Sequence, residues 1–249
     1  MNEKQNPWMY VSILLGVLLV VSMAQNFLTI NNLKGITVAA NNNNQPTVGA
    51  QPSPAPQQPT GPAARANLAI PSYAVPYASK NANINVIEFG DYQCPFCERF
   101  FTQSEPQLIT DYVKTNKVNY YFFDFAFLGP DSTTLSEGAW CAADQSKYYE
   151  YRNYVYSHQG QEQSGWGTPD KVKAIAANVG GIDATKFASC LDSNKYKTRV
   201  TELTSLGQQA GVTGTPSLLI GNKDKGYTIL VGAVPYTQIK TAIDAELNG

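Results

Sequence analysis

The sequence is poor in residues that bind metal ions. Its 249 residues include one histidine, His158, and four cysteines. A structural zinc site usually needs four Cys or His ligands, which one closely spaced cysteine pair and a distant histidine do not supply. We therefore expect neither a metal site nor a bound cofactor. His158 should be a surface or capping residue at the end of a helix.

Charge is also sparse, and this excludes a class of partner. Only 15% of the residues are charged, and from Asn67 onward Lys and Arg number 15 against 18 Asp and Glu, a net charge of −3. Proteins that bind nucleic acids carry a basic patch or stripe, and no such cluster occurs here. We therefore expect no binding to nucleic acid.

Two of the four cysteines form the motif Cys94-Pro95-Phe96-Cys97. A strand predicted at Ile84–Phe89 precedes the motif, and a helix predicted at Pro95–Lys114 follows it. Cys94 would then lie at the helix N-terminus, where free amide groups and the helix dipole favour a thiolate, while Cys97 would be shielded. A structural bridge across two residues would restrain the unfolded chain little, so a redox-active pair is the favoured interpretation.

The N-terminal quarter is predicted to carry the domain rather than to belong to it. Residues 1–34 read as a membrane anchor, because Trp8–Ile30 is a mostly apolar stretch of 23 residues with no charge, long enough to cross a bilayer. A signal peptide cleaved near Ala24 is the alternative. Residues 35–66, rich in Asn, Gln and Pro, are predicted to be a disordered linker, which leaves residues 67–249 as one folded domain.

Three segments resemble those of DsbA-like thiol-disulfide oxidoreductases of the thioredoxin superfamily. Val86–Phe100 looks like the active-site segment of that family, and Gly211–Gly221 is similar to the segment that carries its cis-proline. Between them, Trp140–Tyr151 resembles the start of the helical insertion of the DsbA-like branch. The three motifs occur in family order, and the likeness covers about Asn67 to Leu247.

The resemblance implies an α/β thioredoxin fold with a helical insertion at about residues 131–211. Outside the insertion a β-α-β and a β-β-α unit remain, which is the core of that fold. Pro106 should kink the first helix. Beyond that helix we predict strands at Val118–Phe125, Ser217–Ile220 and Tyr227–Val231, and helices at Ser132–Ser157, Thr168–Val179, Ala184–Leu191, Lys195–Ala210 and Pro235–Leu247.

The resemblance also implies roles for residues around the cysteine pair. Cys94 would be the attacked sulfur and Cys97 the sulfur that is expelled. Glu88 would be a buried acid under the site that exchanges a proton with Cys97; a strand-edge glutamate facing water is the alternative. Pro216 would be the cis-proline and Thr215 would offer its backbone to substrate; an ordinary trans proline at an edge strand is the alternative.

Two further pairs complete the predicted site. Pro95 and Phe96 should tune the redox poise, and Phe96 replaces a histidine found in the best-known DsbA proteins. Because Phe96 cannot stabilise a thiolate by charge, we expect a milder oxidant. Cys141 and Cys190 both fall in the insertion and are predicted to form a structural disulfide; two buried free thiols are the alternative.

The function implied is that of an enzyme outside the cytoplasm. A membrane-anchored, single-pass protein of this type would introduce disulfides into exported proteins that contain cysteines. A quinone-linked membrane oxidase of the DsbB or VKOR type would reoxidise it. A disulfide reductase or isomerase is the alternative within enzymes, and a non-catalytic binding protein on the same fold is the alternative outside them.

Overall fold

The computed structural model describes residues 65–78 and 82–249. The predicted membrane anchor, the signal segment and nearly all of the predicted linker lie outside these residues. Within the described part of the chain, no helix is both long and apolar enough to span a membrane. Arg65 and Ala66, at the end of the predicted linker, are ordered: Ala66 forms an antiparallel bridge with Tyr227, and Arg65 is ion-paired with Glu246 at 2.7 Å.

A four-stranded sheet lies at the centre of the domain, in the order β2-β1-β3-β4. Strand β1 (Ile84–Gly90) is parallel to β2 (Val118–Asp124) and antiparallel to β3 (Ser217–Asn222), which pairs antiparallel with β4 (Gly226–Val231). Both inner strands and β2 are rich in β-branched, leucine and aromatic residues and are buried along most of their length. Such near-continuous apolar runs are typical of strands covered on both faces.

Helices cover both faces of this sheet, and the two apolar cores are separate. The segment between β1 and β2 and the C-terminal helix α8 (Tyr236–Asn248) pack on one face, where Val86 and Ile239 are fully buried. The helical insertion packs on the other face, against Ile87 and Phe89. It consists of α3 (Pro130–Ala143), α4 (Tyr148–Ser157), α5 (Pro169–Ala177), α6 (Ala184–Asp192) and α7 (Lys197–Gln209).

The helix predicted at Pro95–Lys114 is broken. Helix α1 (Pro95–Gln103) ends before Ser104, and a short helix α2 (Glu105–Leu108) leads into a π-helical segment at Ile109–Val113. Pro106 explains the break, because it has no amide hydrogen for the helix ladder and its ring clashes with the carbonyl four residues earlier. The kink expected at Pro106 is therefore a full interruption that places Glu105 at the start of a new helix.

The single helical segment predicted at Ser132–Ser157 is wrong, because it contains two helices. Helices α3 and α4 are separated by a turn in which Ser146 has a positive φ of 59°. That conformation is unfavourable for a residue with a side chain and ends the helical path. The turn reverses the chain, so α4 carries its residues back toward the sheet and the cysteine pair.

Candidate active site

The cysteine pair lies at the N-terminus of α1. Cys94 is the residue that precedes the first helical turn, with extended backbone angles, and Pro95 follows at the first helical position. Proline suits that position because its φ is already helical and an amide hydrogen there would have no partner. The carbonyl of Cys94 accepts hydrogen bonds from the amides of Cys97 (3.0 Å) and Glu98 (3.2 Å). The two thiols are not bonded to each other.

The surroundings of the two thiols differ, and so do their proton affinities. Hydrogen bonds from the Cys97 thiol, from Thr215 and from the amides of Cys97 and Phe96 lower the pKa of Cys94 to about 6, although burial opposes this. Burial, followed by the thiol and charge of Cys94, raises the pKa of Cys97 well above its ordinary value. Cys94 is 5% exposed and Cys97 is fully buried. The arrangement can therefore present one thiolate to a second sulfur while holding the other cysteine as a thiol.

Thr215 and Pro216 lie directly against Cys94. The peptide bond between them is cis, and the Cys94 thiol donates a hydrogen bond to the Thr215 carbonyl at 3.3 Å. Strand β3 begins at the next residue and is an inner strand, paired on both sides. The structure therefore excludes an ordinary trans proline at an edge strand.

Asp91 fixes the turn that carries Cys94. Its carboxylate is fully buried and accepts hydrogen bonds from the Gln93 amide at 2.8 Å and the Ser132 hydroxyl at 2.6 Å. The amides of Phe127 and Leu128 donate to its other oxygen at 3.0 and 3.1 Å. Burial raises the pKa of Asp91, and these hydrogen bonds work against the rise. One side chain thus ties the active-site turn to the loop after β2.

Two glutamines add contacts that the sequence did not predict. Gln93 donates to the Leu128 carbonyl at 3.0 Å and the Ser132 hydroxyl at 2.9 Å. From the loop after α4, Gln159 donates to the carbonyls of Tyr92 (2.8 Å) and Cys94 (3.1 Å). Gln159 lies 65 residues from Cys94, and no pattern in its polar, glutamine-rich loop could have found this contact.

Glu88 lies on β1 and is fully buried, which excludes a strand-edge glutamate facing water. Its carboxylate accepts hydrogen bonds from the Tyr120 hydroxyl and from Arg152, the latter at 2.6 Å. Burial raises the pKa of Glu88 to about 7, against the opposing effect of Arg152. The charge of Glu88 is among the causes that raise the pKa of Cys97, so the two groups are close enough to affect each other. Arg152 was not predicted as its partner.

Phe96, between the two cysteines, points outward. It is 52% exposed, and the guanidinium of Arg99 lies 4.9 Å from the centre of its ring. Pro95 is exposed as well. Neither residue places a charge on Cys94, so the low pKa of Cys94 comes from hydrogen bonds.

Cys141 on α3 and Cys190 on α6 are joined by a disulfide, with their Cα atoms 5.8 Å apart. His158 is exposed at the end of α4 and stacks on Tyr154, with ring centres 4.1 Å apart. It takes no part in the contacts around Cys94. Across residues 65–78 and 82–249, no three His, Cys, Asp or Glu side chains are grouped so that they could hold a metal ion.

One protein-family model and one curated protein each match about two thirds of this chain. The thioredoxin family model matches residues 75–245. Disulfide bond formation protein D of Bacillus subtilis (strain 168) is 25% identical over 172 residues, spanning 68% of this chain and 75% of its own length.

Two solved structures have the same fold. Oxidised BdbD from Bacillus subtilis superposes with a TM-score of 0.66 at 22% identity and covers 75% of this chain and 100% of its own. DsbA from Chlamydia trachomatis superposes with a TM-score of 0.61 at 18% identity, over 71% of this chain and 93% of its own. At these identities the likeness to the two structures is one of fold.

Proposed function

The chain belongs to the thioredoxin family and is a DsbA-like thiol-disulfide oxidoreductase, and we propose that it introduces disulfides into exported proteins through Cys94 and Cys97. One observation carries the proposal: the pKa values of the two free thiols are shifted in opposite directions. The pKa of Cys94 is lowered to about 6, while that of Cys97 is raised well above its ordinary value. A pair built in this way releases Cys94 readily as a thiolate, which favours passing the disulfide on to a substrate.

The reaction begins with the oxidised enzyme. A substrate thiolate attacks the Cys94 sulfur, the Cys94–Cys97 bond breaks, and the bonding electron pair leaves on Cys97 as a thiolate that takes up one proton. A second substrate thiolate then attacks the substrate sulfur of the mixed disulfide and expels Cys94 as a thiolate. Two substrate thiols have become a disulfide, and the enzyme disulfide has become a dithiol.

Glu88 and the Thr215-Pro216 pair have supporting roles in this proposal. A carboxyl group with a pKa of about 7 can hold a proton at neutral pH and give it to the Cys97 thiolate,. The Thr215 backbone, which contacts Cys94 in the dithiol state, would pair with an extended substrate segment. Pro216 would keep other groups away from the sulfurs.

Pro95 and Phe96 would set how strongly the enzyme oxidises. Phe96 is exposed and uncharged, so it adds no electrostatic stabilisation to the Cys94 thiolate. This observation favours a milder oxidant. A reductase or isomerase is the second candidate function, because the direction of thiol-disulfide exchange depends on the reduction potential of the enzyme and on its redox partner.

The proposed setting is the extracytoplasmic side of the cell membrane, with residues 1–34 as a single-pass anchor. The disulfide between Cys141 and Cys190 supports an oxidising compartment, since such bonds are rare where thiols are kept reduced,. A quinone-linked membrane oxidase of the DsbB or VKOR type would restore the Cys94–Cys97 bond by accepting two electrons from the two thiols.

Oxidation of a reduced, unfolded protein that contains cysteines tests the proposal. The oxidised enzyme should consume two substrate thiols per molecule in a single turnover, and Cys94→Ser should consume none. His158→Ala, which removes an exposed side chain outside the site, serves as the matched control and should act like the wild type. A wild-type protein that leaves the thiols untouched would instead be a non-catalytic binding protein, and one that only reduces disulfides would be a reductase.

A further inference from the structure

A buried charged cluster joins the helical insertion to the sheet beneath the cysteine pair. It contains Glu88 on β1, Arg152 on α4 and Glu105 at the start of α2. Glu88 and Arg152 are fully buried, and Glu105 is 4% exposed. Two carboxylates thus share one guanidinium out of contact with water.

The two carboxylates do not share Arg152 equally. Glu105 accepts from both terminal nitrogens, at 2.9 and 2.7 Å. Glu88 accepts from one of them, at 2.6 Å, and its other oxygen has no hydrogen-bond partner among the described residues. A two-point contact between a guanidinium and a carboxylate is the stronger arrangement, so Glu105 is the preferred partner.

We propose that Glu105 is a positioning residue for disulfide exchange: by holding Arg152 at two points, it leaves Glu88 with a single guanidinium contact and so keeps Glu88 able to donate a proton to Cys97 and to recover it. This inference rests on the proposed function, because it concerns the proton that accompanies each opening of the Cys94–Cys97 bond.

The groups that face Glu88 support this assignment. Arg152 and the Tyr120 hydroxyl favour the ionised carboxylate, whereas burial and the Glu105 charge favour the protonated form, and the pKa of Glu88 is about 7 as a result. The remaining titratable groups whose interaction with Glu88 contributes to their own pKa are the Cys97 thiol and the hydroxyls of Tyr92, Tyr149 and Tyr156. Their pKa values are all raised, so these groups stay neutral near pH 7. Arg152 and Glu105 are then the charged groups that set the protonation of Glu88.

The proton step is balanced. When a substrate thiolate bonds to the Cys94 sulfur, Cys97 leaves with the electron pair of the broken bond. The Glu88 carboxyl gives its proton to the Cys97 thiolate and becomes a carboxylate, stabilised by Arg152. When the enzyme is reoxidised, Cys97 returns that proton to Glu88 as it attacks.

Glu105→Gln tests the inference, because it removes the competing charge and leaves one acceptor for Arg152. Arg152 would then pair mainly with Glu88, and the titration midpoint of the Glu88 carboxyl should fall by roughly one pH unit or more. Carbon NMR of the oxidised protein, labelled at the glutamate carboxyl carbons, measures this midpoint, with the Glu88 signal identified by its loss in Glu88→Gln. At pH 7 the protonated fraction would drop from about one half to about one tenth, so the single-turnover rate should fall about fivefold and return toward the wild-type rate near pH 5.

Two other variants separate this role from a merely structural one. Glu105→Asp keeps the charge but is too short for both contacts, so the Glu88 midpoint should fall by less than in Glu105→Gln. Tyr120→Phe removes a donor to the ionised Glu88 and should raise the midpoint. Glu150 lies on the same helix as Arg152 and forms an exposed ion pair with Lys147. Glu150→Gln breaks that ion pair and should leave the Glu88 midpoint unchanged.

A Glu88 midpoint that stays near 7 in folded Glu105→Gln, or that moves in the same direction in Glu105→Gln and Tyr120→Phe, would overturn the inference. The thiol oxidation assay distinguishes this failure from failure of the proposed function. If wild-type protein oxidises thiols but the midpoint does not move, only the role of Glu105 is wrong. If wild-type protein does not oxidise thiols, the proposed function is wrong, whatever the midpoint does.

Discussion

Lowering the pH from 7 to 5 should slow the reaction of Cys94 with an alkylating reagent less than it slows the reaction of an ordinary thiol. The thiolate is the reactive form, and the pKa of Cys94 is about 6,. About nine-tenths of Cys94 is then thiolate at pH 7 and slightly less than one-tenth at pH 5, so the rate constant should fall about tenfold. An ordinary thiol with a pKa of about 8.5 would slow roughly a hundredfold over the same range.

The Thr215 hydroxyl should account for part of the low pKa of Cys94. This hydroxyl is buried and has no hydrogen-bond partner among the described residues, and it lowers the pKa of Cys94 because it can donate to the thiolate. A hydrogen bond to a charged group contributes about 1.5 kcal/mol or more, which corresponds to about one pKa unit. Thr215→Val removes the hydroxyl at nearly constant shape and should raise the Cys94 midpoint by about that amount. Thr213→Val, an exposed change in the same loop, should have no effect.

The assay is timed alkylation of the reduced protein with iodoacetamide between pH 4.5 and 9, followed by mass spectrometry of the peptide that contains Cys94 and Cys97. One label per peptide is expected at early times, because Cys97 is fully buried and its pKa is raised. A wild-type midpoint above pH 8 would refute the assignment of Cys94 as the activated thiol. Equal midpoints for Thr215→Val and the wild type would refute the role of the Thr215 hydroxyl.

Three other outcomes are expected. Cys97→Ser should accumulate long-lived mixed disulfides with substrate, visible on non-reducing gels, because Cys97 is the thiol held beside Cys94; normal turnover would contradict the division of labour. Under mild reduction that opens Cys94–Cys97, alkylation and mass spectrometry should find Cys141–Cys190 closed, because the Cys141 sulfur is buried and Cys94 is the better leaving group,; free Cys141 and Cys190 would contradict this. Phe96→His should raise the reduction potential by up to about 20 mV, because an exposed pair of a charged histidine and the Cys94 thiolate contributes at most about 1 kcal/mol. An unchanged potential would show that this position does not tune the couple.

The elements nearest the cysteine pair could be predicted because their signals are local. Strand β1 differs from its predicted range by one residue at its end, and α1 begins at Pro95 as predicted. The burial of Glu88 also follows from its apolar neighbours on β1. Apolar runs and a proline at a helix start act over a few residues, which is the range that a sequence pattern covers.

The partners of Glu88 could not be predicted, because they come together only in the folded chain. Arg152 lies 64 residues from Glu88, and Glu105 reaches the cluster because the helix breaks at Ser104. The one available signal was a lone arginine inside an aromatic run, flanked by the buried Tyr151 and Tyr156. The burial of Asp124 on β2 could not be predicted either, because its hydrogen-bond donor, Trp140, lies on the helical insertion.

The reduction potential of the Cys94/Cys97 couple tests the central claim most directly. It is measured at pH 7 by equilibrating the protein with glutathione buffers and trapping free thiols. With a Cys94 pKa of about 6, ionisation stabilises the dithiol form by about 1.4 kcal/mol at pH 7, equivalent to about 30 mV. The corresponding thioredoxin thiol has a pKa of about 7, so its ionisation contributes only about 0.4 kcal/mol at pH 7. We therefore expect a potential about 20 mV above the value of about −270 mV for thioredoxin, whereas a potential at or below that value would contradict a thiol oxidase and favour a reductase.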